Sequence, residues 1–357
     1  MSHRDDKVDD VNNDDDDDDD DDDARRNGCS GEPICVQYKF SQTVPPSKGI
    51  PAQIRLLSMS KYSFVTVHGD CDILIWNSLR NVPPRRVVVD IVMDHITGVA
   101  ISPTNSSIIA LTFRLGTMHE AWTFDLASRT TEAKLSTGMD FHTVQFSPDG
   151  RLLAWISAGC VDVWETVLAT HVLTIRESKS RTNGLPTARF AFTPDSSRMA
   201  TVDRSGRLTS WDATTWSLVD ESKAKKAWDD EGREAVQLVA SKERVMVVSR
   251  KGQESGTWAL TTWWPENGSR AELEMKGCEF GCVPGDGGFV ATVQSDGGKL
   301  RIRDSINGVC LDQSTQGIAK NGKSPSVVTG AITSDGRIMA TQIVNGRTTL
   351  WQLVAAE

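Results

Sequence analysis

An all-β fold made of repeated antiparallel units is predicted by three features of the sequence: short apolar runs, tight turns between them, and regular spacing of the units. Residues 144–165 show one such unit. An apolar run that ends at Phe146 is followed by a Ser-Pro-Asp-Gly turn at 147–150, in which Pro presets φ and Gly accepts a positive φ. Two more apolar runs follow, and the second ends on the pair Trp164-Glu165. Three short strands joined by tight turns form an antiparallel meander.

The same unit recurs along the chain, and the third strand of each copy ends near an anchor residue. The anchors that we assign are Trp76, Phe124, Trp164, Trp211, Trp258, Arg303 and Trp351. Their successive spacings are 48, 40, 47, 47, 45 and 48 residues. A period of about 40–50 residues with four short strands per unit is typical of a β-propeller. The sequence therefore predicts a seven-bladed β-propeller of four-stranded antiparallel blades over residues 31–357.

Two details of these units resemble the WD-repeat family of β-propellers. The first is the turn, which is Ser-Pro-Asp-Gly at 147–150 and Thr-Pro-Asp at 193–195. The second is the tryptophan at the end of the third strands, and Trp211-Asp212 is a literal Trp-Asp pair. The resemblance covers about residues 34–357. It implies a non-catalytic platform for protein–protein interactions, as one subunit of a larger intracellular assembly.

The units depart from the family pattern ahead of the first strand. The family's Gly-His pair is matched at best by Asp94-His95. The buried Asp-His-Ser/Thr-Trp hydrogen-bond network of strong family members therefore cannot form in most units. The resemblance extends to the propeller and does not identify a subfamily.

A closing strand is predicted at the beginning of the propeller. Residues 34–40 alternate as a strand before the first complete unit, whereas the chain ends soon after Trp351, on the third strand of the last unit. We expect residues 34–40 to supply the missing outer strand and to close the ring onto the last blade. Closure removes the exposed sheet edges that an open meander would present.

The negative charge of the chain is concentrated at the N-terminus. The net charge is −9, and residues 1–26 hold 14 acidic and 4 basic side chains, so the remaining chain carries +1. Residues 1–30 are predicted to form a disordered acidic tail, because the aspartates 14–23 repel one another and bury nothing. Two interpretations stay open: a solubilising tail, or an arm that docks a basic partner such as a histone or a ribosomal protein. In the second, Asp14, Asp18 and Asp23 would contact the partner.

Composition also bears on the compartment and on nucleic acid. No apolar run of about twenty residues is present, and the acidic N-terminus does not resemble a signal peptide. An odd, scattered set of seven cysteines favours reduced thiols in the cytoplasm or nucleus. We expect no membrane association, because the sequence has no apolar run long enough to cross a bilayer. A propeller with a charge near +1 gives no reason to expect direct binding of nucleic acid.

No motif in the sequence predicts catalysis, a cofactor or a metal. Cys278-x3-Cys282 has zinc-like spacing, but no second pair follows, and the six histidines are scattered. The Gly-rich segments 285–288 and 296–298 lack the Lys-Ser/Thr of a phosphate-binding loop. We therefore expect no enzyme, no catalytic residues and no cofactor. An enzyme or ligand sensor that uses the central channel remains a third hypothesis, because paired carboxylates there would escape a motif search.

Three tryptophans outside the anchors are candidates for a partner surface. Trp228, Trp263 and Trp264 lie in or beside predicted connections, and tryptophan is enriched at interface hot spots. Local packing is the alternative for each. The leading functional hypothesis is thus an interaction scaffold, and the second is a chaperone whose acidic tail shields a basic client.

Overall fold

A computed structural model describes most of the chain beyond the acidic segment. The described residues are 36–44, 54–59, 63–68, 71–77, 85–87, 93–138, 141–176, 187–222, 232–251, 257–285, 287–294, 299–317, 327–332, 338–343 and 348–355, together with Val89, Trp228 and Gly336. The predicted tail, residues 1–30, lies outside these ranges and stays a prediction.

The described residues form β-strands in regular succession. The first half of the chain contains β1 (Val36–Val44), β2 (Ile54–Met59), β3 (Ser63–His68), β4 (Asp72–Asn77), β5 (Arg85–Val87), β6 (His95–Ile101), β7 (Ile108–Leu115), β8 (Met118–Asp125), β9 (Thr130–Gly138), β10 (Phe141–Phe146), β11 (Leu152–Ser157), β12 (Cys160–Glu165) and β13 (Thr170–Ile175). The second half contains β14 (Thr187–Phe192), β15 (Arg198–Asp203), β16 (Leu208–Asp212), β17 (Leu218–Glu221), β18 (Arg233–Ala240), β19 (Val245–Lys251), β20 (Thr257–Trp264), β21 (Ser269–Met275), β22 (Cys278–Cys282), β23 (Phe289–Gln294), β24 (Lys299–Asp304), β25 (Cys310–Gly317), β26 (Val327–Ile332), β27 (Ile338–Ile343) and β28 (Thr348–Ala355).

These strands pair into seven four-stranded antiparallel sheets. Six sheets each consist of four consecutive strands, beginning with β2–β5 and ending with β22–β25, and the seventh has the order β1-β28-β27-β26. Each sheet contacts the next along the chain, as β2 does β6 and β6 does β10, and β26 of the last sheet contacts β2 of the first. The prediction of an all-β propeller with four-stranded antiparallel blades is confirmed.

The predicted closing strand is also confirmed, with shifted bounds. It was expected at residues 34–40, and the structure has β1 at Val36–Val44. It pairs antiparallel with β28, from Val36 opposite Ala355 to Val44 opposite Thr348, with one irregularity between Phe40 and Gln42. The N-terminal strand therefore supplies the outer edge of the sheet that contains the C-terminal strands.

The core lies between neighbouring sheets and is built largely on their second strands. All six residues of β3 are buried, and so are all six of β23. A strand that is covered on both faces needs apolar side chains on both, which explains why the second strands are rich in apolar residues, as Phe64, Val65 and Val67 show in β3. The cluster between the first two sheets, for example, joins Val65 and Ile73 to Ile96, Ile109 and Phe124.

The Pro-containing turns between first and second strands are held by a repeated set of hydrogen bonds. In the third sheet, the hydroxyl of Ser147 donates to the carboxylate of Asp149 at 2.6 Å and accepts from the amide of Leu152 at 2.9 Å. In the fourth sheet, Thr193 donates to Asp195 at 2.6 Å in the same way. Hydrogen bonds from Thr193 and then Ser197 lower the pKa of Asp195 to about 2. The motif recognised in the sequence is thus a self-capped turn.

Gly206 provides a test of how tightly the fourth and fifth sheets are joined. It has a φ of +75°, and a Cβ at this position would collide with the indole ring of Trp228. Gly206→Ala therefore combines left-handed backbone strain of about 1–2 kcal/mol with overpacking of about 1–3 kcal/mol. We expect a loss of roughly 2–5 kcal/mol in the free energy of unfolding, measured by urea denaturation.

Gly116→Ala is the matched control, because Gly116 has a φ of +60° and nothing lies within 4 Å of its missing Cβ. This variant should lose only the strain of about 1–2 kcal/mol. Equal losses for the two variants would show that the indole of Trp228 does not pack against Gly206.

Candidate partner-binding site

The predicted anchors occupy equivalent places in six of the described sheets. Each pairs with the second residue of the preceding strand in its sheet. The pairs are Trp76 with Phe64, Phe124 with Ile109, Trp164 with Leu153, Trp211 with Met199, Arg303 with Val290, and Trp351 with Met339.

Three of the tryptophan anchors donate their indole N–H to a threonine on the neighbouring strand. A largely buried indole N–H needs an acceptor, and the threonine hydroxyl supplies it from within the sheet. The Nε1-to-Oγ1 distances are 2.8, 3.4 and 3.0 Å for Trp76 to Thr66, Trp211 to Thr201 and Trp351 to Thr341. A threonine ten residues before the tryptophan is a sequence signal of this bond. We did not identify this signal in the sequence, because we considered only the complete Asp-His-Ser/Thr-Trp network.

The third sheet replaces this hydrogen bond with aromatic stacking. Trp155 takes the position of the threonine, and its ring stacks on that of Trp164 with centroids 5.8 Å apart. Among the described residues, neither indole nitrogen has a hydrogen-bond partner. Apolar and aromatic contact therefore stabilises this sheet without the polar link.

An acidic residue follows several of the anchors and caps the turn to the fourth strand. Asp125 accepts from the amide of Ala127 at 2.8 Å, and Asp212 accepts from the amide of Thr214 at 2.9 Å. Glu165 holds the equivalent turn of the third sheet through the amide of Leu168. The Trp-acid pairs seen in the sequence thus unite a packing residue with a turn cap.

The anchor assigned to the fifth sheet requires correction. Trp258 is the second residue of β20 and pairs with Arg250, whereas Trp263 is the second-to-last residue and pairs with Val245. Val245 is the first residue of β19, but it follows directly on the turn hydrogen bond from the amide of Ser241 to the carbonyl of Arg244, as Leu153 follows the bond from Ser147 to Leu152. Trp263 therefore occupies the equivalent place. Trp258 fitted the period only because the connection between β19 and β20, residues 252–256, is longer than the two-residue turns of the second and third sheets. Trp258 is also followed by Ala259, which cannot cap a turn.

The tryptophans proposed as partner contacts are mainly core residues, which corrects that prediction for two of them. Trp228 and Trp263 are each only 1% exposed and belong to the same cluster between the fourth and fifth sheets. Trp264 is half-buried. Local packing therefore accounts for Trp228 and Trp263. Asp14, Asp18 and Asp23 lie outside the described residues, and their role stays a prediction.

The two cysteines with zinc-like spacing lie on β22 in the interior. Burial raises the pKa of both thiols, that of Cys282 to about 12. The side-chain amide of Gln294 donates to the Cys278 sulfur at 3.1 Å. Within the described ranges, no group of three or more His, Cys, Asp or Glu side chains is placed to hold a metal ion. The same ranges contain no helix long and apolar enough to cross a membrane.

A surface cleft of about 140 Å³ lies between the outer strand of the first sheet and a turn of the second. Its walls come from β5 with Val89, and from the turn that joins β8 to β9. At three residues, β5 is the shortest of the described strands. Pro83-Pro84 just ahead of it in the sequence are consistent with this short strand, because proline removes an amide donor.

The apolar floor of the cleft is continuous with the core. Phe124 and Leu126 belong to the buried cluster between the first two sheets, and Val87 and Val89 pack against that cluster. The floor is therefore fixed by the packing of two sheets rather than by a free loop. A site built on rigid elements keeps its geometry when a ligand binds.

Three exposed guanidinium groups surround this floor. The Arg85 side chain donates to the carbonyl of Leu126 at 3.3 Å across the cleft, and Arg86 pairs with Asp72. Arg129 has a φ of 61° and an exposed side chain. No described carboxylate lies within ion-pair distance of Arg85 or Arg129.

The one carboxylate that lines the cleft is committed to its own turn. Asp125 accepts from the amide of Ala127 at 2.8 Å and from the hydroxyl of Ser128 at 3.0 Å. The hydrogen bond from the Ala127 amide makes the largest contribution to lowering the pKa of Asp125, and hydrogen bonds from Ser128 lower it further. The cleft therefore combines an apolar floor with an excess of positive charge.

The sequence did not reveal this cleft. Arg85 and Arg86 are followed by Arg129 only after more than forty residues, and no motif links them. Only the contact between the first two sheets brings them together. No protein-family model matches the chain, and no curated protein is significantly similar to it.

The Trp351–Thr341 hydrogen bond gives a test of the polar links between strands. Thr341→Val keeps the side-chain shape and leaves the buried indole N–H without its acceptor, which costs about 1–3 kcal/mol. We expect the same substitution to cost at least about 1 kcal/mol less in a Trp351→Phe background, measured as a double-mutant cycle by urea unfolding. Equal costs in the two backgrounds would contradict the assigned bond.

Proposed function

We propose that the chain is a non-catalytic protein–protein interaction scaffold, a WD-repeat-like propeller that serves as a subunit of a multiprotein assembly. The observation that carries the proposal is the cleft at Arg85, Arg86 and Arg129. It has an apolar floor, charged walls and a rigid support, which are the features of a recognition site on a stable scaffold.

Exposed apolar side chains on other turns support more than one docking face. Val167 and Leu168, in the turn between β12 and β13, are 82% and 72% exposed. Ile306 and Val309, in the turn between β24 and β25, are also exposed. Apolar side chains in solvent on structured turns are suited to contact with partner proteins. A closed ring presents such turns in fixed positions.

A chaperone for a basic client, such as a histone or a ribosomal protein, is the second candidate. It is favoured by the ten consecutive aspartates at 14–23. Such an arm would speed association through long-range attraction that is screened beyond about 8 Å at physiological salt. The arginines of the cleft disfavour binding of a basic client at this surface of the propeller, because like charges repel.

The cytoplasm or nucleus is the compartment that we propose. The described cysteines are free thiols, which is compatible with a reducing environment. Among the described His, Cys, Asp and Glu side chains, no group of three or more is placed to hold a metal ion. The proposed scaffold function assigns no catalytic residue. An enzyme or a ligand sensor would require a converging set of such groups in the central channel.

The scaffold and the chaperone can be separated by affinity capture from native lysate with mass spectrometry. The full chain is compared with a shortened chain that begins at Cys29, which retains every described strand. Each is tested at low and high salt. We expect the same partners with both chains and retention at high salt, because the propeller carries the contacts.

Two outcomes would contradict the scaffold. Capture of basic proteins by the full chain alone, lost at high salt, would favour the chaperone. Absence of any partner that co-purifies reproducibly with either chain would leave the scaffold without support. The shortened chain should unfold at the same temperature as the full chain, which serves as its folding control.

A further inference from the structure

We infer that the arginine cleft binds an extended acidic peptide segment that carries a large apolar side chain. The inference rests on the proposed scaffold function and names the chemistry of one partner. It commits to a polypeptide ligand in which Asp or Glu residues flank an apolar residue such as Leu or Phe.

Charge is the first argument for an acidic ligand. The guanidinium groups of Arg85, Arg86 and Arg129 line the cleft, together with one carboxylate, that of Asp125. That carboxylate already accepts hydrogen bonds from the amide of Ala127 and the hydroxyl of Ser128. Arg86 is paired with Asp72, so the charges of Arg85 and Arg129 are the ones without a carboxylate partner among the described residues. Planar guanidinium groups bind carboxylates through paired hydrogen bonds, so arginine suits this recognition better than lysine does.

The apolar floor is the second argument, and it selects against a purely charged ligand. Val87, Val89, Phe124 and Leu126 line the cleft beneath the arginines. An ion such as free phosphate would leave these side chains in contact with water. A ligand that inserts an apolar side chain between the charged walls would bury them and gain the hydrophobic contribution.

The outer edge of β5 favours an extended polypeptide as the ligand. The sheet order is β2-β3-β4-β5, and no described strand pairs with the outer edge of β5. An exposed edge presents backbone donors and acceptors that a peptide can pair with as an added strand. A peptide in that position would direct alternate side chains toward the cleft.

These three features together distinguish a peptide from a nucleic acid. The arginines supply positive charge for either, but the described lining offers no exposed aromatic face on which bases could stack, because Phe124 is buried in the core. The outer edge of β5 offers backbone groups with which a peptide backbone pairs as an added strand, and a nucleic acid cannot pair in this way. The observations therefore favour an acidic polypeptide, and nucleic acid becomes an outcome of the test.

The test is fluorescence anisotropy with the full chain and three synthetic peptides of eight residues, blocked at both ends. The first carries Asp at positions 2 and 6 and Leu at positions 4 and 8, with Ser elsewhere, so that an extended strand turns all four toward the same side. The second replaces each Asp by Lys, and the third replaces each Leu by Gly. We expect binding of the first, a loss of affinity of about tenfold or more with Gly in place of Leu, and no measurable binding of the Lys peptide.

Two variants localise the binding to the cleft. Arg129→Glu should weaken the Asp-Leu peptide about tenfold or more by reversing one charge. Arg85→Gln should weaken it less, by about threefold, while it retains a donor for the carbonyl of Leu126. Arg204→Glu is the matched control, because Arg204 is an exposed arginine in the turn between β15 and β16, and it should leave the affinity unchanged.

Thermal unfolding is measured for each variant, and Arg85→Gln decides the outcome if Arg129→Glu is destabilised. Rising salt should weaken binding of the Asp-Leu peptide, because exposed charge pairs are screened.

Several results would overturn the inference. Unchanged affinity in Arg129→Glu or Arg85→Gln would place the peptide elsewhere, and equal binding of the Lys peptide would exclude recognition by charge. Displacement by a single-stranded RNA of equal charge would indicate a general polyanion site. If the peptides fail but lysate partners are still captured, the scaffold stands and this inference is wrong. If no peptide binds and no partner is captured from lysate, both the scaffold proposal and this inference are wrong.

Discussion

The pairing of β1 with β28 is the interaction on which the rest of this structure depends. Each sheet of a propeller buries its two faces against its neighbours, so the ring is complete only when the last sheet meets the first. The last sheet takes one of its four strands from the N-terminal part of the chain. This antiparallel pairing covers the edge of β28 and ties the two ends of the described chain together. The outermost strand of that sheet is then β1 instead of β28.

Packing between sheets matters more for this fold than any one polar network. The anchor position is a tryptophan bonded to threonine in three sheets, a tryptophan stacked on Trp155 in another, and Arg303 in a further one. A buried hydrogen bond contributes about 1 kcal/mol net. Burial of one large apolar side chain contributes about 1.5–3 kcal/mol, and each interface between sheets buries several. The ring therefore tolerates varied anchors as long as the second strands remain apolar.

The parts of the fold that the sequence predicts are those that local chemistry determines. The Ser-Pro-Asp-Gly turn at 147–150 carries its own hydrogen bonds, and the closing strand follows from counting strands in the last unit. Trp263 was missed as an anchor because a long connection before β20 disturbs the period. Trp228 was misjudged because its burial arises from contact with Gly206, on another part of the chain. Connection lengths and such non-local contacts are not readable from one sequence.

The cleft illustrates the same limit for function. Arg85 and Arg86 lie on a three-residue strand, and Arg129 lies in the second sheet, so only the packing of two sheets joins them. Its apolar floor belongs to the core, where each residue looks like ordinary packing in the sequence. The site thus lies where the outer strand of the first sheet meets the turn between β8 and β9 of the second sheet. It depends on ring closure because closure fixes how the first sheet is held between its neighbours.

Amide hydrogen exchange of the full chain, followed by mass spectrometry, tests this account most directly. If β1 closes the ring, peptides that cover Thr348–Ala355 should be protected like those of the inner strands, and peptides that cover Val36–Val44 should be protected like those of the other outer strands. Both should lose this protection together in denaturant. Rapid exchange of Val36–Val44 in the native protein, while Thr348–Ala355 stays protected, would contradict closure by the N-terminal strand.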